Sequence, residues 1–136
     1  MSYLLDTNVC IALINGTSGR VRRRYSQAVN RGTIPATSSI VAHELWYGVA
    51  KSGRAAQNAN RLATFLGSAV DLLDFAEGDA QAAGEIRAEL ERQGKRIGEY
   101  DTLIAGQAFA RNLILVTANT SEFGRVKELV VEDWSV

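Results

Sequence analysis

The sequence is poor in the residues that carry much of small-protein chemistry. It holds one cysteine and one histidine. Cys10 alone cannot close an internal disulfide and excludes a cysteine-based zinc or iron–sulfur cluster. A reducing, cytoplasmic setting is the expectation. His43 alone excludes a His-pair metal site. It would have to be the base of any Ser-His-Asp triad, and no Gly-x-Ser-x-Gly elbow surrounds a serine. The glycine-rich phosphate cradles are missing too: there is no Walker A motif and no Gly-x-Gly-x-x-Gly. One proline and twelve glycines exclude collagen-like and proline-rich designs. No run approaches the roughly 18 apolar residues of a membrane span. The opening Met1-Ser2-Tyr3-Leu4-Leu5-Asp6 has no basic stretch and reaches an acid at once, so neither a membrane segment nor a signal peptide is expected. An excess of charge of one sign is also lacking, with 15 basic against 15 acidic residues. Any nucleic-acid contact must then come from how charge is distributed rather than from its sum.

What is present fits one ordinary globular domain: 136 residues, 46% apolar and 22% charged, with no repeat or low-complexity segment. Short apolar runs alternate with helical patterns. Strands are expected at Tyr3-Leu4-Leu5, at Thr33 to Thr37, at Val70 to Phe75, at Asn112 to Thr117 and at Leu129-Val130-Val131. Pro35 marks the second as a weak or edge strand. Helices are expected over Val9 to Ile14, Arg20 to Asn30, Ser39 to Val49, Asn58 to Leu66, Asp79 to Gln93 and Asp101 to Arg111. The third follows a Thr37-Ser38-Ser39 cluster of N-cap candidates, and Gly94 sits where the fifth should end. Ser52 to Gln57 reads as a mobile loop. Strand–helix alternation of this kind predicts an α/β domain with a mostly parallel central sheet of about five strands and helices on both faces.

In such a sheet, sites form beyond the carboxyl ends of the strands. Asp6 ends the first strand. Asn119 and Glu122 follow the strongest one. Asp101 opens a helix, and Glu44 lies inside another, between Ile40 and Tyr47 on a semi-apolar stripe. Each carboxylate alone has an ordinary role: a helix cap for Asp6 or Asp101, a rim residue for Glu44. Together they can converge on one crevice, where they repel unless a cation intervenes. Oxygen donors without Cys or His partners suit Mg²⁺ or Mn²⁺. The one dense basic cluster, Arg20, Arg22, Arg23 and Arg24, is a solvated helix face or a phosphate-backbone contact. Cys10, in an apolar run, reads as core, and His43 as a packed or surface residue.

Four motifs stand in order: Leu5-Asp6-Thr7-Asn8, His43-Glu44-Leu45-Trp46-Tyr47-Gly48, Ile97-Gly98-Glu99-Tyr100-Asp101-Thr102-Leu103-Ile104-Ala105, and Val116-Thr117-Ala118-Asn119-Thr120-Ser121-Glu122-Phe123. In this order they resemble PIN domains over essentially the whole chain, and the closing Val131-Glu132-Asp133-Trp134 resembles the ending of VapC-type toxins. The resemblance implies a single PIN domain over residues 1–136 with a Rossmann-like parallel sheet. It implies an endoribonuclease dependent on Mg²⁺ or Mn²⁺ that cuts specific structured RNA, commonly tRNA, and leaves a 5′-phosphate. It also implies a homodimer, and a VapB-type antitoxin that brings a basic side chain to the acidic crevice. Carried over by motif, Asp6, Glu44 and Asp101 are the catalytic, metal-binding acids. The family's fourth acid falls at or near Asn119, whose amide adds no charge but can offer an oxygen or order a water. Glu122 is expected to supply the missing carboxylate, directly or through water. Asn8 and Thr117 are expected to orient the acids by hydrogen bonds, and Arg22, Arg23 and Arg24 to meet RNA. The alternative is a catalytically silent PIN-fold module that binds RNA or protein, to which the neutral Asn119 points. A phosphate-receiver domain is disfavoured, because Thr7 rather than a second acid follows Asp6.

Overall fold

The computed structural model describes residues 2–136. Among them, strands β1 (Tyr3–Leu5), β2 (Ala36–Ser38), β3 (Asp71–Leu73), β4 (Ile114–Val116) and β5 (Val131–Glu132) form one sheet in the order β3-β2-β1-β4-β5. Every pairing is parallel. The helices lie in the connections: α1 (Thr7–Asn15) and α2 (Gly19–Asn30), α3 (Ser39–Lys51) and α4 (Ala55–Ser68), α5 (Glu77–Arg92) and α6 (Glu99–Ala110), and the single turn α7 (Thr120–Phe123). Strand order reverses beside β1. The chain moves outward from β1 through β2 to β3, then returns to the other side of β1 for β4. The carboxyl ends of β1 and β4 therefore flank a topological switch point, where α/β sheets open a crevice.

The core explains the strand pattern. Leu4, Leu5, Ile114, Leu115 and Val116 are all buried, as unbroken apolar strands in the middle of a covered parallel sheet must be. Trp134 is buried against Tyr3, edge to face at 5.1 Å, which fastens the C-terminal segment beside the first strand.

Two local expectations change. β2 is interior, not an edge. Pro35 stands just before the strand, so its missing N–H removes no ladder bond, and its carbonyl still accepts from Asp71 N at 3.0 Å. The segment from Ser52 to Gln57 is not a loop beyond Arg54, since α4 begins at Ala55. The link is a tight corner. The Ser52 hydroxyl donates to Val49 O at 2.7 Å and accepts from Asn58 Nδ2 at 3.0 Å. The short α7 has no counterpart among the expected helices, because four residues are too few to show a helical period.

Helices α5 and α6 make the closest approach. A Cβ at Gly106 would stand 2.6 Å from the backbone of Ala83. Gly106→Ala should push α6 off α5 and cost about 2–3 kcal/mol. Urea unfolding monitored by circular dichroism measures that loss, and a midpoint equal to that of the parent would refute the close packing.

Candidate active site

Asp6 is the first residue past β1 and caps α1, accepting Thr7 N on Oδ1 at 2.7 Å. Its Oδ2 accepts the Thr117 hydroxyl at 2.8 Å. Thr117 is the first residue past β4 and is buried, so the two central strands deliver both partners to one point. Each hydrogen bond to the ionised form holds the carboxylate in one orientation. The Thr117 oxygen also accepts Asn119 N at 3.0 Å, which starts the turn into α7.

Glu44 reaches the same place from α3. Its Oε1 accepts the Thr7 hydroxyl at 2.8 Å. The orienting role expected of Asn8 thus falls to its neighbour. Asn8 is exposed on the first turn of α1, and Thr7 makes the contact to the acid. The available signal is positional. A residue directly after an N-cap acid, at a strand–helix junction over the switch point, cannot turn fully away from the crevice.

Asn119 does not stand alone in the fourth-acid position. Its Nδ2 donates to Glu122 Oε2 at 2.7 Å across α7. The amide thus fixes a carboxylate, and Glu122 brings the charge that Asn119 lacks.

Asp101 completes the group from the first turn of α6. Gly98 caps this helix, and a Cβ there would lie 3.2 Å from Asp101 Oδ2, so the glycine leaves the carboxyl its room. The Asp101 carboxyl is pushed up to about 6, first by burial and then by the negative charges of Asp6 and Glu122. The hydrogen bond its protonated form gives Glu122 adds to this, as does the charge of Glu44. Asp101 therefore senses all three other acids, whose charges add to the larger effect of burial.

No arginine or lysine forms an ion pair with Asp6, Glu44, Asp101 or Glu122 among the described residues; the pairs lie elsewhere. Uncompensated charge of this kind, carried only by hard oxygen donors, fits a divalent cation such as Mg²⁺ or Mn²⁺. Among the described residues no group of three or more His, Cys, Asp or Glu side chains is already placed to hold a metal ion, so the acids would have to draw together around one.

The arginine cluster divides. Arg22 and Arg23 are exposed on α2. Arg24 pairs with Glu132 at 3.0 Å, and its guanidinium lies 5.7 Å from the Trp134 ring centroid, so it braces the C-terminal segment. None of the three forms an ion pair with the four acids. Cys10 is buried in the core as expected, and burial pushes its thiol up to about 12, which keeps it protonated and unreactive.

The family model for the PIN domain matches residues 3–129. This chain belongs to the PIN-domain family. Among its PIN-domain relatives, it is 43% identical over 135 residues to the tRNA(fMet)-specific endonuclease VapC of Shigella flexneri, covering 99% of each chain. It is 42% identical over 134 residues to the ribonuclease VapC2 of Rickettsia felis, covering 98% of each. The crystal structure of VapBC2 from Rickettsia felis bound to a promoter DNA fragment contains a chain that superposes with a TM-score of 0.91 at 40% identity, over 98% of this chain and 99% of that one. The PIN domain described here thus has the α/β architecture and the parallel sheet that its motifs predicted, and its relatives are named ribonucleases and endonucleases.

Proposed function

We propose that this protein is the toxin of a VapBC toxin–antitoxin pair, a single PIN domain over residues 1–136 that cleaves RNA, with initiator tRNA the first substrate to test. The observation that carries the reading is that the charges of Asp6, Glu122 and Glu44 all act on Asp101 beside the switch point, with no cationic side chain paired to any of the four among the described residues. Kinship to endonucleases named for tRNA(fMet) supports the substrate class.

Asp6 and Asp101, with Glu44, would hold Mg²⁺ or Mn²⁺, and the ion would supply positive charge for the scissile phosphodiester and its attacking water. The protein's part is orientation. Thr117 and the Thr7 amide fix Asp6 through both oxygens, while the Thr7 hydroxyl fixes Glu44 through one. Asn119 fixes Glu122 through one oxygen and leaves the other to accept a proton from Asp101 or from water. Preset carboxylates need little reorganisation when the phosphate arrives.

A homodimer is proposed from kinship to the family, and one surface supports the proposed antitoxin. An apolar groove of about 210 Å³, with Ile11, Ile14, Leu45, Val49 and Leu62, runs between α1, α3 and α4 to Glu44. An antitoxin segment lying there can bring a basic side chain to the acids. Among the described residues no helix is long and apolar enough to cross a membrane, and the cytoplasm, where tRNA resides, is the proposed compartment.

The test is cleavage of initiator tRNA by antitoxin-free protein with Mg²⁺, with Mn²⁺ and with EDTA. Discrete fragments that EDTA abolishes are the expected result. A folded protein that cuts nothing with either metal would overturn the enzyme reading in favour of a binding-only module. Arg22 and Arg23, the exposed pair of the basic cluster, are proposed to touch the RNA backbone. Replacing both with Ala should reduce the slope of log affinity against log salt by about 2, near one for each phosphate no longer neutralised. An unchanged slope in a filter-binding titration would take α2 off the RNA path.

A further inference from the structure

Each of two exposed aromatic residues stands one position before a crevice acid. His43 precedes Glu44 on α3, and Tyr100 precedes Asp101 on α6. Neighbours on a helix point about 100° apart, so the acids line the crevice while this pair lies at its mouth. His43 Nε2 is 3.3 Å from the Tyr100 hydroxyl, with ring centroids 5.5 Å apart and planes tilted by 58°. The imidazole holds the phenol by its hydroxyl end and does not stack flat on it. Tyr100 is 48% exposed and Tyr47 59% exposed, and neither belongs to the hydrophobic core.

A second feature continues the first. His43, Tyr47 and Lys51 follow one another at four-residue spacing and so share one face of α3. All are exposed, and the Lys51 ammonium lies 5.0 Å from the Tyr47 ring centroid. The face reads, from the crevice outward, as aromatic, aromatic, cation.

Four carboxylates around one divalent ion keep the crevice net negative, so charge there serves the scissile phosphate and adds little affinity for the flanking chain. Affinity for the flanking nucleotides is better supplied by groups that ignore the backbone charge. Aromatic faces do this for unpaired bases, with a flanking cation for the phosphate. Resting on the ribonuclease reading, we propose that Tyr100, held by His43, together with Tyr47 and Lys51 forms a track for single-stranded RNA leading to the cut. Tyr100 stacks on the unpaired base next to the scissile phosphodiester, Tyr47 on a base further along, and Lys51 meets the phosphate beyond it. His43 is a positioning residue acting through Tyr100.

The experiment has two arms. The first is steady-state cleavage of initiator tRNA by the full chain. Tyr100→Ala and Tyr47→Ala should each raise KM about 5- to 150-fold, the range for loss of one stacked base, with little change in kcat. Tyr47→Phe should restore the parent KM, because the ring and not the hydroxyl stacks, while Tyr100→Phe keeps the ring, loses the His43 contact and should match His43→Ala. His43→Ala should give an intermediate KM. The second arm uses the cleavage-dead Asp6→Asn protein and a short single-stranded oligoribonucleotide carrying an internal 2-aminopurine. Stacking quenches its fluorescence, and the quench should vanish with Tyr100→Ala. Alanine variants that leave both KM and quenching unchanged overturn the track. So does a Tyr47→Phe variant that fails to rescue. If the parent protein cuts no RNA but the quench appears and depends on Tyr100, the nuclease reading falls and the stacking track stands.

Discussion

Asp6→Asn should cut cleavage by about a hundredfold or more while the fold persists. The substitution is nearly isosteric, and asparagine caps a helix as well as aspartate does. Its Oδ1 can still accept Thr7 N, which lies 2.7 Å from that oxygen in the parent. On the other side an amide NH₂ meets the Thr117 hydroxyl, which must turn its proton away to accept. That rearrangement changes one hydrogen bond for another, so the cost in stability should stay within about 1 kcal/mol. The loss of charge also relieves Asp101, whose carboxyl is pushed up partly by Asp6. Cleavage responds quite differently. Removal of an outer partner of a metal ligand costs roughly 10–100-fold, so removal of the central ligand charge should cost about a hundredfold or more in kcat/KM. Initiator-tRNA cleavage measured beside thermal unfolding of the same preparation checks both halves. Activity near that of the parent at matched Mg²⁺ would remove Asp6 from the site, and a collapsed melting curve would assign it a folding role instead.

Arg111→Ala should lower stability relative to the parent far more at neutral pH than in acid. Asp79 is buried, with its side chain only 3% exposed. It accepts Ala76 N at 2.8 Å at the start of α5, and Arg111 grips it with Nε at 3.1 Å and Nη2 at 2.8 Å. The Arg111 guanidinium is the main cause that holds the Asp79 carboxyl below its ordinary value, against the opposing effect of burial. A depressed carboxylate stabilises the fold above its unfolded-state value of 3.8, and that contribution disappears as pH falls through the folded-state value. Without Arg111, a buried carboxylate is left uncompensated. Breaking such a pair costs about 3 kcal/mol, at the lower end of the buried range because Arg111 keeps part of its surface in water. For a domain of this size that lowers Tm by roughly 10 °C at pH 7. Below the ordinary aspartate range the deficit should shrink, since Asp79 then takes up a proton in either protein. Calorimetry across pH reads the outcome, and a deficit independent of pH would show that Arg111 acts by packing alone. Asp79→Ala should cost a similar amount and also free the first turn of α5.

These two predictions draw on different kinds of legibility. Asp6 is visible in the sequence, because a lone acid closing the first apolar strand and opening a helix has few other places to be. Asp101 and Glu44 are visible for related reasons, one at a helix start and one on a half-apolar stripe. Glu122 is visible as the carboxylate nearest Asn119. The Asp79–Arg111 pair is not. Its partners are 32 residues apart and obey no local spacing rule. Thr7 is legible only by its position after Asp6; its partner is not, since α3 brings Glu44 within reach from 37 residues away. Arg24 makes the converse point: in sequence it is one of a basic run, and in the fold the chain's end comes back to occupy it.

The sequence by itself determined the element types, their alternation and hence a parallel α/β sheet, because apolar periodicity and capping residues are local properties of the chain. It also set the expectation of oxygen donors at the site, since one cysteine and one histidine leave little else. Only the tertiary structure decided the strand order. β2 and β4 both lie next to β1, so that Asp6 and Thr117, 111 residues apart, share a hydrogen bond. Strand neighbours are chosen by burial of whole faces across the sheet, and no short window of sequence contains that choice.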